Sequence, residues 1–352
     1  MGALWKDVDL ARDLPTFRNT SQRWLAHGIN KTRDDQTTLT LARDLEDAIG
    51  TEALESLSET VVGAPITVPY ATQSGQHLHV NFNDLQIVAM AHRISRLWSS
   101  TRDLPPRNIL EIGGGYGGLA VKLIRLWSKC HYVIIDLPEA SLLQDFYVHE
   151  CTGLQPSYGA MDSHPNASIG SIHLLDVSEA DLLDSTTWDL IINTRSMQEM
   201  DPRVIQEYFT RIQRDLCVGG IFYNLNRFVT GSTGLPNCVA RYPYDDRWRL
   251  ISATPFPTQW VQLEIATQRI ERPDPTGQRF IRALPTNYLW RDGISSITRH
   301  PLQVLDQILA SYASIIWLPV KRLSRLVRLV WQRRTSDNRT QPAPLREPVA
   351  GD

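Results

Sequence analysis

The sequence has few cysteines, little net charge and no apolar segment near its N-terminus. The four cysteines lie far apart and never in CxxC spacing, at Cys130, Cys151, Cys217 and Cys238. Such spacing predicts neither a disulfide framework nor a structural zinc site, and it favours a reducing compartment. The formal net charge is only −2, whereas polyanion binding usually shows as a strong basic excess. We therefore expect no nucleic-acid partner for the bulk of the chain.

The beginning of the chain also lacks the features of a secretory signal, because charged side chains occur throughout residues 1–20. A cytoplasmic location is the resulting expectation. Of the 352 residues, 42% are hydrophobic and 21% are charged, as in an ordinary globular protein. This length is enough for one large α/β core with appendages.

Glycine, by contrast, is concentrated at one point. The apolar run Asn108–Ile112 is followed within six residues by five glycines, Gly113, Gly114, Gly115, Gly117 and Gly118. This order predicts a buried parallel strand, a tight turn and the first turn of a helix. Glycines allow positive φ and let a ligand reach main-chain N–H groups that no Cβ shields. A ligand is therefore predicted at this turn.

A second predicted strand, Tyr132–Asp136, ends in a carboxylate about twenty residues after the glycines. In α/β folds this is the position from which an acidic side chain binds ribose hydroxyls. The pair of strands therefore predicts a cofactor that contains a nucleoside.

The spacing Gly113-x-Gly115-x-x-Gly118 fits a dinucleotide as well, so the nature of the nucleoside has to be decided. Glu111, at the carboxyl end of the first strand, would face a pyrophosphate and repel it. The same carboxylate attracts S-adenosylmethionine, which carries a sulfonium and an α-ammonium group but no phosphate. A nicotinamide-dependent oxidoreductase, a scaffold without turnover and a turn whose glycines only pack remain the alternatives.

Three further apolar runs predict strands at Ile172–Val177, Trp188–Asn193 and Ile221–Arg227, with helices between them. The alternation predicts a mostly parallel sheet with right-handed crossovers and a ligand above the carboxyl ends of the strands. Residues 227–257 are expected to form a long loop that builds the acceptor site. A closing strand is predicted at Trp260–Ala266.

We expect the chain to have four parts, because the segments before and after the sheet differ from it in composition. Residues 1–80 form a helical and loop prelude that caps the substrate, and residues 81–272 form the core. Residues 273–334 form an extension, in which residues 321–334 read as a basic amphipathic helix that either packs on the core or lies on an anionic membrane surface. Residues 335–352 are polar and are predicted to be disordered.

Candidates for a catalytic base lie in two places. His77 and His79 are two residues apart in an extended segment, so both imidazoles point to one side. Glu199 follows the fourth predicted strand, where Ser196 and Glu199 also fit a helix capping box. The candidates are ranked His79, Glu199 and His77, with a structural role open for each. No compact Asp/Glu cluster calls for a metal ion.

Three segments together resemble the class I S-adenosylmethionine-dependent methyltransferases: Glu111–Gly118, Tyr132–Glu139 and Asn193–Met200. More narrowly, they are similar to the sugar O-methyltransferase family of bacterial polysaccharide and glycoconjugate gene clusters. The resemblance covers residues 80 to 270, and Met197-Gln198 departs from the aromatic or small residues of that family.

The resemblance implies a Rossmann-like α/β fold with a mostly parallel seven-stranded sheet and helices on both faces. It also implies S-adenosyl-L-methionine as cofactor and a sugar hydroxyl of a polysaccharide or glycoconjugate as acceptor. The cofactor-binding residues that follow from the motifs and the resemblance are Glu111, Gly113, Gly115, Tyr116, Gly117, Asp136, Leu137, Asp176, Val177 and Asn193. For Asp176, capping of the following turn is the alternative role.

Overall fold

The structure is a computed structural model, which describes residues 34–58, 62–63, 65–159, 170–183, 186–230, 237–239, 242–256, 259–274 and 276. The basic segment 321–334 and the polar tail 335–352 lie outside the described residues, as do residues 1–33 of the prelude. No helix in the described ranges has the length and apolar character needed to cross a bilayer.

The described part of the prelude contains two helices, α1 (Asp35–Ile49) and α2 (Thr51–Leu57). The Asp34 side chain caps α1 by accepting a 2.8 Å hydrogen bond from the Thr37 N–H. A hairpin follows, formed by β1 (Val68–Ala71) and β2 (His77–Val80). Apolar side chains of these four elements and of the next helix form one small core, which includes Ala42, Leu45, Leu54, Leu57, Tyr70, Val80, Leu85 and Val88.

The helix α3 (Phe82–Ser99) leads into the sheet. The helix is capped by an asparagine side chain. Asn81 is the cap, because its side chain accepts from the N–H groups of Asn83 (2.9 Å) and Asp84 (3.2 Å). The side chain of Asn83 is thereby left for another contact, described below.

The first half of the central sheet alternates strands and helices in the predicted way. In chain order its elements are β3 (Asn108–Ile112), α4 (Gly118–Leu126), β4 (His131–Asp136), α5 (Pro138–Thr152), β5 (Ser157–Tyr158) and β6 (Ser171–Asp176). A 3₁₀ helix, Val177–Leu183, then leads towards the second half.

The second half contains β7 (Trp188–Thr194), a 3₁₀ turn (Met197–Glu199), α6 (Pro202–Asp215) and β8 (Leu216–Arg227). Two short strands, β9 (Val229–Thr230) and β10 (Asn237–Cys238), pair apart from the sheet. The chain then forms the hairpin β11 (Trp248–Phe256) and β12 (Gln259–Arg269).

The sheet runs in the order β11-β12-β8-β7-β3-β4-β6-β5. Neighbours from β8 to β5 are parallel, and only the hairpin strand β12 is antiparallel to its neighbours. The predicted α/β class is confirmed, but the sheet has eight strands instead of seven. Two strands of this sheet were not predicted. Strand β5 lies between two of the predicted strands, and β11 lies inside the predicted loop 227–257.

Both faces of the sheet are covered by helices. Helices α3, α4 and α5 pack on one face, against side chains such as Ile109, Tyr132, Ile134 and Tyr223. Helix α6 packs on the other face, against side chains such as Leu110, Ile135, Ile191 and Phe222. Strand β3 lies between β4 and β7, and the chain reverses direction across the sheet there. In open α/β sheets, the crevice at this switch point is where ligands bind.

Candidate functional site

The glycine turn lies at this switch point, directly after β3. Gly113, Gly115 and Gly117 have φ of 76°, 61° and 88°, a left-handed conformation that side chains disfavour. The Gly113 N–H donates to the Ile135 carbonyl at 2.8 Å, which joins the turn to β4. A Cβ on Gly113 would lie 2.0 Å from Ser196 Oγ, so Ser196 packs directly on the turn.

Gly115 is different from its neighbours because it faces open space. It is exposed, and a Cβ built on it would have no atom within 4 Å. A ligand can therefore approach the main chain at this position from the crevice.

The Asp136 side chain, at the end of β4, is bonded to the glycine turn. Its Oδ2 accepts from the Gly115 N–H at 3.1 Å and from Gln144 Nε2 at 2.9 Å, while its Oδ1 accepts from the Leu137 N–H at 2.8 Å. Gln144 Nε2 also donates to the Gly115 carbonyl at 3.0 Å. Burial raises the pKa of Asp136 to about 6, against the opposing effect of these hydrogen bonds.

Glu111 lies beneath the turn and is 1% exposed. Its Oε2 accepts from the Tyr132 hydroxyl at 2.8 Å and lies 3.3 Å from where a Gly114 Cβ would be. Burial raises the pKa of Glu111 to about 7, and the charge of Asp136 adds to this shift. The expectation that Glu111 faces the ligand in front of the turn was therefore wrong. Strand pleating directs its side chain to the face that α3, α4 and α5 cover, where Tyr132 lies.

Tyr116, within the turn, is held from the helix side. Its hydroxyl accepts from Asn83 Nδ2 at 3.3 Å, and its ring packs edge-on against Tyr147 with centroids 4.8 Å apart. A Cβ on Gly118 would lie 2.8 Å from the Tyr116 ring, so this glycine makes room for it. Burial raises the pKa of Tyr116 well above its ordinary value, so the phenol stays neutral.

A buried ion pair lies between the helices that hold Tyr116. Lys122 Nζ of α4 is 2.8 Å from Asp84 Oδ1 in the first turn of α3, and the two side chains are 0% and 4% exposed. Because neither charge reaches water, each depends on the other. The pair therefore fixes the start of α3 against the helix that follows the glycine turn.

Asn193, at the end of β7, is 0% exposed and bonds inward. Its Nδ2 donates to the Ile112 carbonyl at 2.8 Å, and its Oδ1 accepts from the Met197 N–H at 3.2 Å and from Asn226 Nδ2 at 2.7 Å. These contacts use its side chain to support the end of β3 and the turn after β7. Its predicted contact with a cofactor stays a prediction.

Asn226 continues this network into β8. Its Oδ1 accepts from the Gln198 N–H at 3.0 Å, and its Nδ2 also donates to Asn224 Oδ1 at 2.5 Å. Asn224 in turn donates to the Tyr244 hydroxyl at 3.2 Å, and Gln198 Oε1 accepts from the Arg227 N–H at 2.8 Å. The carboxyl ends of β3, β7 and β8 are thus joined by buried amides.

Arg195 is a site residue that the sequence did not reveal. It follows β7 with φ of 63°, the only positive φ of a non-glycine residue among the described residues. Its Nε donates to Gln262 Oε1 at 3.0 Å and its Nη2 to Gln86 Oε1 at 3.1 Å. The sequence shows a polar segment after this strand, but neither the left-handed backbone nor partners so distant in the chain.

The remaining predicted cofactor residues lie at the same edge of the sheet. Leu137 is partly buried and caps α5, while Val177 is 38% exposed at the start of the 3₁₀ helix. Asp176 ends β6, and its Oδ1 accepts from the Ser178 N–H at 2.7 Å. This arrangement is the turn capping given as its alternative role, and its contact with a cofactor stays a prediction.

The three base candidates are all exposed. His77 and His79 lie on one face of β2, as the two-residue spacing predicted. Glu199 is in the 3₁₀ turn after β7. The capping box proposed for Ser196 and Glu199 does not form, since the Ser196 side chain makes no capping hydrogen bond. Within the described ranges, no group of three or more His, Cys, Asp or Glu side chains has a metal-binding arrangement.

No family model and no curated protein matches the chain. Solved structures do show similarity. A protein described as a candidate O-methyltransferase from Klebsiella pneumoniae is 13% identical, with 67% of this chain and 99% of that chain covered and a TM-score of 0.39. One described in the same way from Nostoc punctiforme is 12% identical, with 66% and 69% covered and a TM-score of 0.37.

A variant of MtNAS in complex with S-adenosylmethionine is 11% identical, with 76% of this chain and 81% of that chain covered and a TM-score of 0.38. At such identities and TM-scores, these similarities do not identify an activity. Only the geometry of the site can support one.

Proposed function

We propose that the chain is an S-adenosylmethionine-dependent O-methyltransferase whose acceptor is a sugar hydroxyl of a polysaccharide or glycoconjugate. One observation carries the proposal. The glycine turn at the switch point opens to the crevice, and its Gly115 N–H is bonded to the carboxylate of Asp136.

The described residues fit this cofactor. The space in front of Gly115 admits a ligand to the main chain, and Asp136 accepts three hydrogen bonds in the structure. A carboxylate accepts hydrogen bonds readily, so Asp136 is the group proposed to accept from a ribose hydroxyl. The turn from Gly113 to Gly117, Asp136 and Tyr116 would hold the cofactor. When bound, S-adenosylmethionine supplies an electrophilic methyl group on a sulfonium ion.

The same contact argues against a nicotinamide dinucleotide. A pyrophosphate binds at a glycine turn through free N–H groups. Here the Gly115 N–H already donates to a carboxylate, which would repel a phosphate at that place. The repulsion first assigned to Glu111 therefore comes from Asp136, since Glu111 lies under the turn.

The chain's part in methyl transfer is to position the acceptor and to accept its proton. Holding the two reactants in line contributes several kcal/mol of barrier lowering, and a weakly acidic sugar hydroxyl needs a base. His79, then Glu199 and His77, are proposed for that role. Support for a sugar comes from the resemblance of the three sequence segments to the sugar O-methyltransferase family.

The test is methyl transfer from labelled S-adenosylmethionine onto a panel of activated sugars and lipid-linked glycans. We expect labelled product with at least one sugar acceptor, and none with the Asp136→Ala variant. Binding of S-adenosylhomocysteine is measured in parallel by titration calorimetry. The proposal fails if the wild type binds no S-adenosylhomocysteine, or if mass spectrometry of the purified protein shows a nicotinamide dinucleotide instead.

A further inference from the structure

Arg195 is held in an unusual way for a cation in a crevice. It is partly buried, and its backbone is left-handed, which is unfavourable for a residue with a side chain. The two hydrogen bonds of its guanidinium go to neutral amides, those of Gln86 and Gln262, which are 1% and 3% exposed. These hydrogen bonds hold a positive charge at the carboxyl edge of the sheet without neutralising it.

Several buried or partly buried cations of the described residues have a carboxylate partner, whereas Arg102 bonds to the carbonyls of Gly219 and Val218. Arg93 pairs with Glu264 at 2.6 Å, and Lys122 pairs with Asp84 at 2.8 Å. For Arg195 no carboxylate of the described residues lies within ion-pair distance. Instead Arg227, at the end of the neighbouring strand, is close enough that its charge adds to the effect of burial in lowering the pKa of Arg195, to about 10.

The guanidinium of Arg195 also has donors to spare. It carries five N–H groups in a planar fork, and two of them donate to Gln262 and Gln86. The other three have no partner among the described residues. A fork of this kind matches the two oxygens of a carboxylate or phosphate.

Arg195 lies beside the glycine turn, and its side chain extends away from it. The next residue, Ser196, packs on Gly113 of the turn. The Arg195 side chain reaches Gln262 on β12, which is three strands from β3 in the sheet. An anion bound by the remaining N–H groups of Arg195 would therefore lie next to the proposed cofactor site.

We infer that Arg195 and Arg227 form an anion-binding site, and that the methyl acceptor carries a carboxylate or phosphate that pairs with it. This inference rests on the proposed function for the identity of the acceptor. It narrows the acceptor class from a neutral sugar to an acidic sugar or a sugar phosphate.

The experiment measures binding of three probes to the full chain: glucuronate, glucose 1-phosphate and glucose. Each is titrated with and without saturating S-adenosylhomocysteine. We expect at least one anionic probe to bind about tenfold or more tightly than glucose, since a hydrogen bond to a charged group contributes about 1.5–3 kcal/mol. The preference should weaken as salt is added.

Three variants test whether the two arginines cause the tighter binding of the anionic probes. We expect Arg195→Gln to abolish this difference in affinity and Arg195→Lys to keep part of it. Arg227→Gln, at an exposed position, should reduce the difference without loss of fold. Arg203→Gln, which removes one exposed arginine elsewhere, is the matched control and should leave it unchanged. Which anionic probe responds tells an acidic sugar from a sugar phosphate.

Three results would overturn the inference: equal affinity of the wild type for all three probes, an anion preference that survives in both Arg195→Gln and Arg227→Gln, or a loss of S-adenosylhomocysteine affinity in Arg195→Gln. The last would place the carboxylate of the cofactor at Arg195. Failure of the proposed function would look different, because the wild type would then bind no S-adenosylhomocysteine whatever its anion preference.

Discussion

Asp136 Oδ2 lies 3.1 Å from the backbone nitrogen of Gly115, so the carboxylate at the end of one strand is bonded to the glycine turn of its neighbour. The contact orients the turn. It also places a negative charge where a phosphate would have to bind, which is why the turn suits a cation-bearing nucleoside better than a dinucleotide.

Replacement of Asp136 by Ala should weaken S-adenosylhomocysteine binding by about 1.5–3 kcal/mol, the range for a lost charge-assisted hydrogen bond. Titration calorimetry measures the affinity for S-adenosylhomocysteine, and Asp103→Ala, on an exposed loop, is the control. Because burial raises the pKa of Asp136 to about 6, the wild-type affinity should also fall as the pH drops below that value. An unchanged affinity would exclude Asp136 from the ribose site.

Gly115→Val should abolish cofactor binding while the fold survives, because the side chain would enter the open space in front of the turn. Gly153→Val is a matched control: Gly153 has φ of 71° and a Cβ added there would also meet no atom within 4 Å, but it ends α5 away from the crevice. Both variants should lose a similar amount in melting temperature, and only Gly115→Val should lose binding. Wild-type affinity in Gly115→Val would mean that the glycine turn is purely structural.

Glu111→Gln should change how stability depends on pH. Burial raises the pKa of Glu111 to about 7, above its unfolded value of 4.5. Between these values the folded state holds a proton that the unfolded state has lost, so the wild type loses up to about 1.4 kcal/mol per pH unit as the pH rises towards 7. Urea unfolding from pH 5 to 8 measures the free energy of unfolding, which should fall with rising pH more steeply in the wild type than in the Gln variant. The same pH dependence in both proteins would contradict this prediction.

Lys122→Met should destabilise the fold by about 3–5 kcal/mol, because it leaves the buried carboxylate of Asp84 without its cation. Adding Asp84→Asn to that variant should restore much of the loss. Asp181→Asn breaks the exposed pair with Arg211 and is the control, for which little change is expected. If the effects of the two substitutions on the free energy of unfolding simply add in the double variant, the two charges are not coupled.

Truncation after Pro319 should lower association with anionic vesicles and leave methyl transfer to a soluble acceptor intact. The reason is the sequence of residues 321–334, where each basic residue near an anionic surface contributes about 1 kcal/mol. Vesicle sedimentation at low and high salt is the measurement. A lower melting temperature with unchanged sedimentation would show instead that the segment packs on the core.

Strand β3, the glycine turn and strand β4 could be predicted because each has a characteristic local sequence. The run before Gly113, the glycines and the run that ends at Asp136 each have a strong signature, and β3, the turn and β4 follow it. The hairpin strand β11 was missed because Trp248–Phe256 is mostly half-buried and contains Pro255, so it lacks a clear alternation. The two residues of β5 are too few for any periodicity.

The side-chain environment of the site was less predictable because it depends on residues far apart in the chain. The burial of Glu111 depends on its position beneath the turn and on Tyr132 of the neighbouring strand, 21 residues away. The role of Arg195 depends on Gln86 and Gln262, which are 109 and 67 residues away. A local sequence pattern cannot predict contacts between residues so far apart in the chain. It also does not predict the left-handed backbone of Arg195.

The buried amides of Asn193 and Asn226 connect the turn that follows β3 to the segment that carries Arg195 and Arg227. Their hydrogen bonds have no water at hand to replace them, so moving one strand end against another would leave an amide unpaired. The floor of the crevice should therefore behave as a single rigid body. For the kinetics this means that cofactor and acceptor should bind in random order, since neither has to shape the floor for the other.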